Sequence, residues 1–114
     1  MRLKSAIFVA ALVRTANGAG AFAAVRRRGS EEAGAVFVKV ATLDGHAALY
    51  APAPQTDFDA SFPVDRLFRL AVEPGHPEAD SEERMVKEMR FDPDLWFVEI
   101  EDREGRCFVD LAPA

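Results

Sequence analysis

Six carboxylates fall within one short stretch of this chain: Asp92, Asp94, Glu99, Glu101, Asp102 and Glu104. Two carboxyl groups can divide acid and base roles when one is desolvated and the other stays in a polar setting. Asp92 and Asp94 also offer oxygen ligands to a divalent cation, although their spacing is unspecific for one. The local pattern favours plainer roles. Asp92 and Asp94 flank Pro93, where aspartate suits turn geometry. Glu99 and Glu101 alternate with apolar residues and so occupy a solvated strand face. Trp96 falls in phase with Val98 and Ile100 and reads as core, while its place just after Asp94 also suits the mouth of a pocket. A small-ligand or catalytic site at Asp92, Asp94 and Trp96 therefore predicts a well-formed pocket there, with at least one carboxylate pKa raised.

Arg26-Arg27-Arg28 is the one basic run. A strand sends Arg26 and Arg28 to one side and Arg27 to the other. With Lys39, Tyr50, Phe22 and Phe37 they compose a basic and aromatic sheet face, in outline a platform for single-stranded nucleic acid. No RNP-like motif accompanies it. The plainer readings are that the arginines neutralise Glu31, Glu32 and the C-terminal carboxylates, or that a helix packs on this face. His46, His76 and Cys107 are not clustered at ligand spacing, so no metal is expected. Cys107 has no evident base to make it a nucleophile. P-loop, dinucleotide, nucleophile-elbow and zincin motifs are absent, and Gly18-Ala19-Gly20 reads as a helix C-cap rather than a phosphate cradle.

The elements that position these residues begin with Lys4 to Ala16, apolar nearly all round and so a helix largely buried against a sheet, stopped at Asn17-Gly18. Arg2 and Lys4, the uncharged run Ala6 to Val13 and Ala21-Phe22-Ala23 also imitate a secretory signal. The run is short, Arg14 follows it, and cleavage would cut the strand Ala21 to Arg28, so the helix is preferred. With a loop at Gly29 to Glu32, that strand sets Val25 against Val36 in the core, the better packing; a five-residue loop reverses this, placing Phe22 and Ala24 inside and Arg26 near the core edge. Asp44-Gly45 suits a two-residue type I′ turn between Ala35–Leu43 and His46–Ala51. This register puts Val38, Val40 and Thr42 opposite Ala51, Leu49 and Ala47 on the core face. Lys39 then meets Tyr50, and Leu43 meets His46, on an open one.

Pro52 to Pro63 is a Pro-punctuated loop that Phe58 and Phe62 tack down. Arg66 to Glu73 reads as a strand with Phe68, Leu70 and Val72 on one face, broken at Pro74-Gly75. A second helix starts near Asp80 or Ser81, with Asp80 and Glu83 as a capping box. Met85, Val86 and Met89 form its apolar stripe, Glu83 and Lys87 an outer pair, and Pro93 ends it. Strand Leu95–Glu101 then turns through Asp102–Gly105 and returns, pairing Glu101 with Arg106, Ile100 with Cys107, Val98 with Val109 and Trp96 with Leu111.

Composition bounds the class. No apolar run approaches the ~20 residues that span a bilayer, and a single cysteine favours a reducing compartment, the cytoplasm. Residues 1–50 carry seven basic and three acidic side chains, and residues 51–114 seven and sixteen. That asymmetry argues against a uniformly basic nucleic-acid binder and permits head-to-tail contact or an acidic partner surface.

The segments MRLKSAIFVAALVR, EEAGAVFVKV and above all FDPDLWFVEIEDREGR (Phe91 to Arg106) resemble an alphaproteobacterial family, domain-of-unknown-function family 1491. The resemblance implies a cytoplasmic single-domain protein whose first helix belongs to the fold, and it brings no activity, cofactor or catalytic residues. Together these readings predict one α+β domain over residues 1–114, a mainly antiparallel sheet of about five to six strands with two helices. The favoured function is a non-enzymatic protein-binding module, using the face of Arg26, Arg28, Lys39 and Tyr50 or the 52–63 loop. The alternative is a small-molecule site or small enzyme at Asp92, Asp94 and Trp96, and the lesser one is nucleic-acid binding through Arg26, Arg28 and Lys39. No cofactor and no membrane partner are expected, nucleic acid is disfavoured, and a homodimer is left open.

Overall fold

In a computed structural model, which describes residues 3–54 and 66–113, the apolar run near the start forms α1 (Ser5–Gly18). A helix leaves its first N–H groups without intrahelical partners, and here the loop at Glu31 and Glu32 supplies acceptors for two of them. Ser5 N–H donates to Glu32 O at 3.1 Å and Ala6 N–H to Glu31 O at 3.0 Å. The Ser5 hydroxyl donates to Gly34 O at 2.6 Å and accepts from Arg66 Nη2 at 3.0 Å. Two distant parts of the chain thus fix this helix. It buries one stripe, Ser5, Val9, Leu12 and Ala16, while Ile7 is 52% exposed. The expectation of burial nearly all round is corrected, because contact with one sheet face covers one stripe of a helix. Gly20, at φ 94°, closes the helix in the left-handed conformation that glycine tolerates.

Five strands and a second helix follow: β1 (Phe22–Arg27), β2 (Val36–Ala41), β3 (His46–Pro52), β4 (Phe68–Pro77), α2 (Glu78–Phe91) and β5 (Trp96–Glu101). The strands form one sheet in the order β1-β5-β2-β3-β4. Neighbours are antiparallel except β2 and β5, which run parallel. The α+β class, the mainly antiparallel sheet and the two helices are as the sequence predicts. The pairing is not. β5 lies between β1 and β2, so Val25 sits opposite Val98 rather than Val36 and is 43% exposed. Because β5 has a neighbour on each side, it has no free edge for a returning strand. The C-terminal hairpin is therefore corrected: Cys107, Phe108 and Val109 pack against the α1 side of the sheet, and Leu111 forms a parallel bridge with Phe68.

The β2–β3 register also slips by one residue, with Val38 opposite Tyr50, Lys39 opposite Leu49 and Val40 opposite Ala48. The cause is local. Asp44 Oδ1 accepts from the Thr42 hydroxyl at 2.6 Å and from His46 N–H at 3.1 Å. That carboxylate holds open a three-residue loop in which Leu43 (φ 66°) and Gly45 (φ 88°) take the left-handed conformation. In a sheet a slip of one residue exchanges the faces of the partner strand. Tyr50 accordingly joins Val38, Val40, Trp96 and α1 in one core, and Leu49 joins Phe37, Phe97 and Met85 of α2 in a second.

β4 runs on through Pro74-Gly75 instead of breaking there, since Pro74 falls in the register shift between Val72 and His76, and a bulge on an edge strand tolerates proline. Irregular pairing opposite Leu49 moves Val72 to the α2 side, away from Phe68. α2 starts earlier than the sequence suggests, after Pro77 and with no side-chain cap. Glu78 N–H donates instead to Gly45 O at 3.0 Å. Asp80 consequently lies inside the first turn, where its charge favours the helix dipole. Met85 is fully buried and Val86 is 48% exposed. Most of the Pro52–Pro63 loop, with Phe58 and Phe62, lies outside the described residues.

Candidate functional site

The residues expected to form an open face divide between the two sides of the sheet. Lys39 and Arg26 share the α2 side, whereas Tyr50 is on the α1 side. Lys39 is 3% exposed. Its ammonium lies 2.9 Å from Glu78 Oε1, 2.7 Å from Glu82 Oε2 and 3.5 Å from Glu99 Oε2. Arg26 donates both terminal nitrogens to Glu82, at 2.6 and 3.0 Å, and one of them to Glu99 at 3.0 Å. Its guanidinium stacks 4.6 Å from the centre of the Phe97 ring. The cluster thus couples β1, β2 and β5 to the first turns of α2.

Its electrostatics decide what it can do. Burial pulls the Lys39 pKa down, but hydrogen bonds to Glu82 and Glu78 and the charge of Glu99 outweigh burial, and the net shift is upward. The bidentate bond from Arg26, aided by Lys39, lowers Glu82. An amine nucleophile or base needs the opposite shift. This lysine stays a cation, and the cluster acts as a strut that clamps α2 to the sheet. Sequence reasoning named Lys39 and Arg26 but missed Glu78 and Glu82. A signal was present: Glu78, Glu82, Met85 and Met89 recur at helical spacing, which sets two acids on the face that buries the methionines.

Arg28 leaves that face and lies 5.1 Å from the centre of the Trp96 ring. Trp96 is 1% exposed, and its indole N–H donates to Ser30 O at 2.8 Å. Asp92 Oδ1 accepts from Asp94 N–H at 3.0 Å, closing a turn around Pro93. The turn is packed from outside as well: a Cβ on Gly29 or Gly34 would overlap Asp94 O. The structure therefore brings Asp92, Asp94 and Trp96 close in a filled turn. Tyr50 lies under the C-terminal segment, where burial and then Cys107 push its pKa up. Among the described residues no group of three or more His, Cys, Asp or Glu is placed to hold a metal.

What stays uncovered is the end of the β1–β5 half of one sheet face, beyond the clamp. Strands lie about 4.8 Å apart and a helix is about 10 Å wide, so one helix covers roughly two strands. α2 packs on β3 and β4. In the β1–β5 half beside it Phe97 is buried and Glu99 is held by Arg26 and Lys39, so the open part is the end where Phe22, 60% exposed, lies opposite half-buried Glu101. Phe91, at the end of α2, is 88% exposed. The two sheet edges differ. At β1 the Asn17 side chain bonds Ala23 twice, accepting from its N–H at 2.8 Å and donating to its carbonyl at 3.3 Å. At β4, Phe68 N–H donates to Asp110 O and Ala112 N–H to Phe68 O, both at 2.8 Å.

Solved structures share this arrangement. A crystal structure of a DUF1491 family protein from Caulobacter crescentus is 41% identical, covers 96% of this chain and 94% of its own, and superposes with a TM-score of 0.79. A solution structure of an A. tumefaciens protein is also 41% identical, covers 100% and 98%, and gives a TM-score of 0.83. An NMR structure of a Caulobacter crescentus DUF1491 family protein is 40% identical, with coverages of 100% and 99% and a TM-score of 0.81. Among curated proteins none matches the chain, and no helix among the described residues is long and apolar enough to cross a membrane. The family model for the protein of unknown function DUF1491 matches residues 3–110, and the chain belongs to that family.

Proposed function

We propose that this chain is a small protein-interaction module that works in the cytoplasm and engages its partner through the β1–β5 half of the α2-side face. The observation that carries the reading is Phe22, 60% exposed on the half-face that α2 leaves uncovered. An aromatic side chain held on a rigid strand is the kind of residue that anchors interfaces. The lane beside it is about two strands wide, enough for one helix of a partner. Arg26 and Lys39 neutralise Glu82 and Glu99, and Glu101 remains at the rim to favour a basic flank on the incoming segment. The same pairing argues against nucleic acid, because two of the three cations that would meet phosphate, Arg26 and Lys39, are committed to carboxylates, and Arg28 lies over the Trp96 ring.

The test is affinity capture from an extract of the source organism, comparing wild type with Phe22→Asp. Phe22 is exposed, so the variant should keep its circular dichroism spectrum and urea midpoint. A protein retained by wild type and weakened about tenfold or more by the substitution supports the lane. Identical captures by two folded proteins would remove it.

A further inference from the structure

A second surface lies at the opposite edge of the sheet, and it stands independently of the β1–β5 reading. In antiparallel pairing the outward backbone groups alternate along an edge strand. Leu67 and Arg69 face β3, as the bond from Ala53 N–H to Leu67 O at 2.9 Å shows. Phe68 and Leu70 therefore turn their N–H and C=O groups outward. The chain's own segment Asp110–Ala112 takes the Phe68 position, running parallel with two backbone bonds of 2.8 Å, and in the described residues the ladder stops there. Leu111, opposite Phe68, is still 49% exposed and Leu70 is 39% exposed. A groove of about 330 Å³ runs beside them, lined by Ala53, Phe68, Arg69, Leu70, Leu111 and Pro113.

We infer that this edge is a strand-addition site for an extended peptide of a partner protein, bound parallel to β4 in place of Asp110–Ala112. The seated segment shows the chemistry the site accepts. Its alternation puts apolar Leu111 on the Phe68 face and Asp110 on the Arg69 face. A longer strand of the same pattern gains the Leu70 ladder position, covers the β4 side of the groove at Phe68 and Leu70, and meets the Arg69 guanidinium, which has no ion pair among the described residues. Main-chain bonds supply affinity in such additions and alternate side chains supply selectivity.

The experiment titrates the full chain with a short, end-blocked peptide of alternating leucine and aspartate, followed by amide NMR and hydrogen exchange. The expected result is saturable binding that protects the Leu70 amide and moves the Leu111 and Ala112 signals. Leu70→Pro removes one outward donor without touching the β3 ladder and should weaken binding about fivefold or more. Arg69→Glu, which keeps every backbone donor, should weaken it as well, and it decides the matter if the proline variant folds poorly. Four outcomes overturn the proposal: a Leu70 amide already protected in the free protein, binding indifferent to Arg69→Glu, shifts centred on Phe22, or protection of Leu70 that arises from pairing with a second copy of the chain.

Discussion

At the scale of single residues, Lys39 carries the most weight. A buried ammonium is tolerated when its charge is paired and its donors are used, and three carboxylates do both here. Removing it leaves Glu82 and Glu99 facing one another beside a hydrophobic layer, with Arg26 as the remaining cation. Breaking a buried ion pair from one side typically costs about 3–5 kcal/mol. Glu78 and Glu82 are partly hydrated, so Lys39→Met should cost less, about 1–3 kcal/mol at pH 7. The check is urea unfolding at pH 7 and pH 4. Glu82 is lowered in the native state, so its contribution is present above the unfolded carboxylate value and lost as pH falls. Without Lys39 the acids bind protons more readily when folded, and the gap between variant and wild type should narrow at pH 4. A gap that stays constant would mean that Lys39 acts by packing alone. The lysine itself was legible in the sequence as an odd residue inside a strand of apolar ones. Its partners were harder to find, because no local pattern says which strand a helix will cover.

Secondary-structure elements were read with uneven success, and the misses share one cause. The alternation in Trp96–Glu101 and the identity of both helices are local properties, and they are as the sequence predicts. The insertion of β5 between β1 and β2 is a choice among strand partners that alternation does not encode. Once β5 is central, the return hairpin becomes impossible, and a readable turn at Asp102–Gly105 leads elsewhere. Asn17 shows the same limit: it reads as a helix stop, while its amide also closes the outer edge of β1 at Ala23. An open edge strand is a template for pairing with another chain, and Phe22 and Val25 make this one apolar. Asn17→Ala should therefore lower stability by about 1–2 kcal/mol and also make the protein self-associate as its concentration rises. Sedimentation velocity over a range of concentrations reads the second effect. A variant that is less stable yet strictly monomeric would leave Asn17 a structural bond with no part in guarding the edge.

Across the whole molecule, charge sets a pH window for the fold. The chain carries 14 basic and 19 acidic side chains; Lys39 and Arg26 pair across elements, while Arg106 and Asp102 pair within one turn. Arg106, through its guanidinium and backbone N–H, holds the Asp102 carboxyl down to about 2 from 3.8. A group depressed in the native state stabilises the fold above its unfolded pKa, and that stability drains away as pH falls through the native value. Asp102 thus places its loss between about 4 and 2, and Glu82 adds a loss of the same sign. At the alkaline end Lys39 is raised above 10.5, so its contribution is complete below that value and disappears above it. Stability should be flat from about pH 5 to 9 and fall steeply on the acid side. Urea midpoints measured at intervals from pH 7 down to 2 test this, with Asp102→Asn as the decisive comparison. The variant should be weaker than wild type at pH 7 and decline more gently below pH 4, so that the two curves converge near pH 2. Parallel curves would show that the Asp102–Arg106 turn forms equally well in the unfolded chain. The acid limit would then belong to the clamp on α2, where Arg26→Met should flatten it instead.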